Sequence, residues 1–201
     1  MQEVFDYYLN ISVLEWIAVI ASLAYVIFAA KRNILCWPAA LISTALYTYI
    51  FYEYYLWMDS TLQVYYLVMA LYGWYCWKKP QANTEELTII TWKSQTHLLA
   101  IPLLFVVGLV IGYYMDNYTP TDFPYIDALT TVFAVFATYL VTQRVLENWL
   151  YWIVIDAVSI YVYIEKGLQP TAALFVLYTI IAVFGYFAWQ KKISKQTFVY
   201  G

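Results

Sequence analysis

RNILCWPAALISTALYTYIFYEYYLWMDSTLQVYYLVMALYGWYCWKK, residues 32–79, decides the fold, because the chain repeats it without a gap at residues 144–191. A shift of 112 positions lays Arg32 on Arg144, Trp37 on Trp149, Tyr49 on Tyr161, Glu53 on Glu165, Tyr66 on Tyr178, Gly73 on Gly185 and Trp77 on Trp189. Ala45, Leu56, Leu62, Val64, Ala70 and Lys79 also meet identical partners, giving thirteen identities in 48 positions. An apolar composition alone would give about four, so the match is a repeat, and a repeat decides the architecture before anything else. Two copies of about 65 residues with a spacer between them are too long for solenoid units. In an apolar chain they fit a duplicated helical bundle of the kind small transporters use.

The chain is 64% hydrophobic and 11% charged. A soluble domain carries about 25% charged residues, so this is an all-α integral membrane protein with no polar coat for water. Seven stretches are long enough to cross a bilayer, roughly 11–30, 34–57, 60–77, 97–114, 124–142, 146–164 and 168–189; a span needs about 20 mainly apolar residues. Barrel strands would be shorter and strictly alternating. The polar segment Lys78 to Gln95 divides span three from span four. The organisation is therefore 1–79, a first three-helix repeat; 80–123, a loop plus linker helix; 124–192, a second three-helix repeat; and 193–201, a tail.

Basic residues set the orientation. With the N-terminus outside, Lys31, Arg32, Lys78, Lys79, Lys93, Arg144, Lys191, Lys192 and Lys195 all fall inside, and Lys166 alone falls outside. Glu3, Asp6, Glu15, Glu53, Asp59, Asp116, Asp122, Asp127 and Glu165 line the outer side. Met1 to Val13 holds no Lys or Arg, so the first apolar run reads as retained rather than as a cleaved leader. Three spans invert the chain, and one extra helix resets it, giving a 3+1+3 pair of parallel repeats.

The absences narrow the function. The net charge of -3, with bases only in short groups, gives no footprint for nucleic acid. There is no phosphate-binding loop, no nucleophile motif and a single histidine, His97, so no catalytic residue, metal site or cofactor is expected. Cys36 and Cys76 are too few for a disulfide framework and read as reduced packing residues. Gly73 and Gly185 read as points of close helix approach, Pro38 and Pro170 as helix starts, and Pro102 as a bend in the spacer helix.

One residue stands out. Asp156 is the only ionisable side chain deep in any span, and an acid at bilayer depth marks function by default. Trp149, Trp152, Asp156, Ser159 and Tyr163 recur at helical spacing and form one stripe, with Asn148 at its head. The repeat partner of Asp156 is Thr44, so the charge is placed once, as one asymmetric ligand requires. Tyr66 and Tyr178 are repeat equivalents, and Gln63, Tyr65, Ser43 and Tyr47 stand at similar depth. Aromatic faces attract a desolvated cation by about 2 kcal/mol. The candidate binding residues are therefore Asp156, Trp152, Trp149, Asn148, Ser159, Gln63, Tyr65, Tyr66, Ser43, Tyr47 and Tyr178, and the expected ligand is a small cation. A sugar carrier would share the repeat but needs no midplane acid, and a scaffold subunit would need no ligand.

Glu15 to Lys192 resembles the PnuC-type vitamin transporters, most specifically in Gln63-Val64-Tyr65-Tyr66 running into Tyr72-Gly73-Trp74-Tyr75-Cys76-Trp77, and in Glu147-Asn148-Trp149-Leu150-Tyr151-Trp152. The resemblance implies a SWEET-like fold in the bacterial inner membrane, a homotrimer, and facilitated diffusion of nicotinamide riboside, thiamine or riboflavin with trapping by phosphorylation. Nicotinamide riboside carriers tend to have Asn near the positions of Ser43 and Asp156. A carboxylate suits thiamine, a permanent cation with two rings, so thiamine is the expected cargo, nicotinamide riboside the alternative and neutral riboflavin third.

Overall fold

The computed structural model describes residues 13–53, 57–78 and 88–200. The readings made on Met1 to Ser12, on Leu56 and on 79–87 lie outside the described residues. Seven helices follow in order: α1 Val13–Ala30, α2 Cys36–Glu53, α3 Trp57–Lys78, α4 Ser94–Tyr118, α5 Pro124–Thr142, α6 Asn148–Glu165 and α7 Gln169–Tyr200. Each expected span has its helix. Shifted by 112, the bounds of α2 become those of α6, and those of α1 and the start of α3 fall within one residue of α5 and α7.

The shortest helices have 18 residues, about 27 Å, which matches the hydrocarbon core of a bilayer. α7 runs 32 residues, about 48 Å. Residues 193–200, read from sequence as a tail, are thus a continuation of this helix. Pro102 lies inside α4 without ending it, while Pro38 and Pro170 sit in the first turns of α2 and α7, where a missing N–H costs little.

Four helices are apolar and long enough to cross a membrane by composition: α1, α4, α5 and α7 over Thr171–Ile193. α2, α3 and α6 fall short because Tyr, Ser, Thr, Gln and Asp replace aliphatic residues along them. Every candidate binding residue except Tyr178 lies on one of those three helices. The polar cargo of the chain is therefore concentrated, not scattered.

The chain divides into two units, Met1–Leu87 and Thr88–Gly201. In the first, α2 packs on both α1 and α3; in the second, α4 packs on α5, α5 on α6 and α6 on α7. The spacer helix α4 therefore belongs to the second unit.

The turns α1–α2 and α5–α6 share one backbone solution. Arg32 and Arg144 are left-handed, with φ of 58° and 60°. Asn33 N–H donates to Phe28 O at 2.8 Å and Val145 N–H to Leu140 O at 3.0 Å, the six-to-one bond of a helix end closed by a left-handed residue. Glycine is the usual residue there, and Gly167 (φ 72°) fills that place after α6. A left-handed non-glycine residue costs about 1–2 kcal/mol. Burial also holds the Arg32 guanidinium below its usual pKa. Arg32→Gly is accordingly expected to raise stability by about 1 kcal/mol, read as the thermal midpoint of purified protein; a fall would mean that the arginine side chain contributes more than its backbone costs.

Candidate functional site

α6 carries the densest set of candidates. Its apolar residues are mainly β-branched or aromatic, and packing of its buried face is what holds such a helix. Asp156 is 4% exposed and is the only charged side chain among the buried described residues. No hydrogen bond or ion pair reaches its carboxylate from the described residues. Thr44, at the equivalent position of α2, settles its hydroxyl on its own helix, donating to Ala40 O at 2.8 Å. One repeat satisfies this position internally and the other leaves an acceptor for something else.

One turn of α6 before Asp156, Trp152 packs on Ala134, Ala137 and Ile155, together with Phe133 and Tyr151. Ser159 is half-buried one turn further along. Tyr163 lies 5.1 Å from Phe175, which meets Tyr178 edge-on at 5.8 Å. An unpaired buried carboxylate on a helix lined with rings is the arrangement that stabilises an aromatic cation, by charge and by ring quadrupole together.

Asn148 and Trp149 are placed differently from the rest of the stripe. Asn148 is 0% exposed, and its Nδ2 donates to Val145 O at 2.6 Å, so it holds the α5–α6 turn, while its Oδ1 has no partner. Trp149 stacks edge-on against Trp189 at 5.5 Å and lies over Gly185. Trp37, Trp77 and Gly73 repeat that arrangement in the first unit, with ring centroids 5.2 Å apart. The glycines are points of close approach, as their sequence context indicates.

In the first unit Ser43 is buried, and Tyr47, Gln63, Tyr65 and Tyr66 are half-buried. Tyr47 stacks on Phe51 at 5.5 Å, and Tyr65 meets Tyr66 at 5.5 Å. Ser60 Oγ donates to Thr48 O at 3.0 Å, which fixes the register of α3, and so of Gln63, against α2. Cys36 is buried and Cys76 half-buried, and both are free thiols.

Sequence reading passed over a second cluster. His97 Nδ1 lies 2.9 Å from the Tyr151 hydroxyl, and Trp92 N–H donates to Glu147 Oε2 at 3.2 Å. The signal available was Ile89-Ile90-Thr91-Trp92, a β-branched and aromatic run inside the polar segment Lys78 to Gln95.

Among the described residues, seven helices, four of them apolar and long enough to cross a membrane, and one buried acid, Asp156, describe a polytopic membrane protein. Residues 12–191 match the family model described as nicotinamide mononucleotide transporter, and the chain belongs to that family, which includes the PnuC proteins. It is 23% identical to the nicotinamide riboside transporter PnuC of Escherichia coli, over 93% of this chain and 89% of that one. The riboflavin/roseoflavin transporter RibM of Streptomyces davaonensis is 22% identical, over 83% and 79%. The crystal structure of the vitamin B3 transporter PnuC superimposes with a TM-score of 0.75 at 25% identity, covering 96% of this chain and 87% of that one. These relatives are membrane transporters, which points away from an enzymatic role.

Proposed function

We propose that the protein carries nicotinamide riboside across the bacterial inner membrane by facilitated diffusion, with phosphorylation inside trapping the product. One observation carries the reading: Asp156, buried and without a partner among the described residues, one turn of α6 from Trp152. Its carboxylate would balance the pyridinium, and the Ser159 hydroxyl, one turn along the same helix, is of the kind that binds a ribose. Trp152 and Tyr178, both in the second unit, would supply aromatic surface, and Asn148 would hold the head of α6.

Thiamine, the cargo expected from Asp156 amid Trp and Tyr, receives no support from the relatives named above, which are transporters of nicotinamide riboside and of riboflavin/roseoflavin. A carboxylate neutralises either cation equally well, so charge was not a discriminating signal. The finer architecture belongs to the same proposal: parallel SWEET-like repeats, the N-terminus periplasmic and the C-terminus cytoplasmic, and a homotrimer.

Proteoliposomes test it. Uptake of labelled nicotinamide riboside is expected to saturate, to exceed that of thiamine and riboflavin by at least about tenfold, and to be indifferent to a proton or sodium gradient. Tenfold corresponds to about 1.4 kcal/mol of selectivity. Preference for thiamine would restore the first expectation, and strong acceleration by a gradient would make Asp156 an ion carrier.

A further inference from the structure

The segment before α4 is docked to the second unit at several points. Ile90 N–H donates to Arg144 O at 3.1 Å and Leu146 N–H to Ile90 O at 2.8 Å, a one-residue parallel bridge onto the left-handed turn. Ile89 is buried, and the Trp92 ring sits among His97, Phe136 and Tyr139 at 5.8, 6.1 and 6.5 Å. His97, in the first turn of α4, bonds Tyr151 in the first turn of α6, and its Nε2 lies 3.9 Å from Glu147 Oε2. In the first unit the equivalent turn is closed by its own side chain, Asn33 Oδ1 accepting from Leu35 N–H at 2.9 Å.

We infer that Thr88–Lys93 is a fixed strap fastening the spacer helix to the head of α6, and that His97 is a positioning residue acting through Tyr151. α4 packs along α5, so the strap and His97 make its link to α6. Two backbone bonds, a bond to a carboxylate and a ring cluster make the docking too extensive for a segment that opens in each cycle. α6 carries Trp152 and Asp156, so whatever holds its first turn governs how that helix moves as a body. Tyr151 is five residues from Asp156, about 140° around the helix, and does not share its face. Loosening the link should therefore slow movement of the helix without removing ligand contacts. This consequence rests on the transport reading; the docking itself does not.

Two measurements test it. In hydrogen–deuterium exchange on the purified full chain, the amides of Ile90 and Leu146 are expected to exchange as slowly as those inside α5 and α6. Loop-like exchange there overturns the strap, whatever the protein transports. His97→Ala and Tyr151→Phe are expected to lower the maximal rate of nicotinamide riboside uptake about tenfold with Kd within about threefold of wild type. His97→Asn, whose side-chain amide can donate to or accept from the Tyr151 hydroxyl, is expected to restore most of the rate. Unchanged rates, or losses that His97→Asn does not recover, overturn the positioning role. If the wild-type chain binds none of the three vitamins, the transport reading falls while exchange still decides the strap.

Discussion

Replacing Asp156 with asparagine is expected to weaken nicotinamide riboside binding about 10–100-fold and, at the same time, to make the protein more stable. The first effect follows from removing a charge-assisted contact, worth about 1.5–3 kcal/mol. The second follows from the same burial. A carboxylate at the centre of a span costs about 2.5–3.5 kcal/mol even on lenient scales, and no described residue offers this one a bond. Asparagine keeps the shape and removes the charge, so the fold recovers part of that cost. Opposite movement of affinity and thermal midpoint is the signature of a residue kept for a ligand at the expense of the fold. Titration of tryptophan fluorescence gives the affinity, and thermal unfolding in detergent gives the stability. Riboflavin, being neutral, should bind the variant no worse than it binds wild type. A variant that binds normally and unfolds earlier would make Asp156 a structural acid and leave the cargo without its recognising charge.

The architecture was legible because it depends on two strong, local signals. Apolar length located every helix of the described residues, and the identity at a shift of 112 agrees with α6 having the bounds of α2 moved along the chain. Three features escaped. The left-handed turns carry arginine, where the usual marker is glycine, so nothing in Lys31-Arg32 or Gln143-Arg144 announced them. Hydropathy stopped α7 near Trp189, although Gln and Lys favour helix and the backbone continues to Tyr200. The strap depends on pairing Ile90 with a turn more than fifty residues away, and such pairing is not written in either segment alone. Among site residues, periodicity found the α6 stripe but did not separate its members. It could not tell that Asn148 turns back onto Val145 and that Trp149 lies on Gly185, while Asp156 is left without a bond among the described residues.

The fate of Trp149 rests on a different experiment. Gly185→Ala would bring a methyl carbon within 2.8 Å of the Trp149 ring, closer than real contacts allow, and Gly73→Ala would drive one into the ring of Trp37. Trp37 and Trp149 are 1% and 2% exposed, and each is backed edge-on by a second indole, so neither ring can swing clear. Overpacking of this kind costs about 1–3 kcal/mol and sometimes more. Gly73→Ala should be the worse of the two, since its overlap is deeper. Between membrane helices there is little hydrophobic drive to offset the loss, because close packing is itself what holds them together. Both variants are expected to lower the thermal midpoint in detergent, and adding Trp37→Phe to Gly73→Ala should recover part of the loss by making room. Trp37→Ala and Trp149→Ala, each leaving a cavity, should cost about 3–5 kcal/mol. If Trp149→Ala instead unfolds like wild type yet no longer binds nicotinamide riboside, its indole faces the ligand and not the glycine. The equivalent tests on Trp37 would then diverge from those on Trp149, and the matching backbone of the two turns would conceal a difference in use.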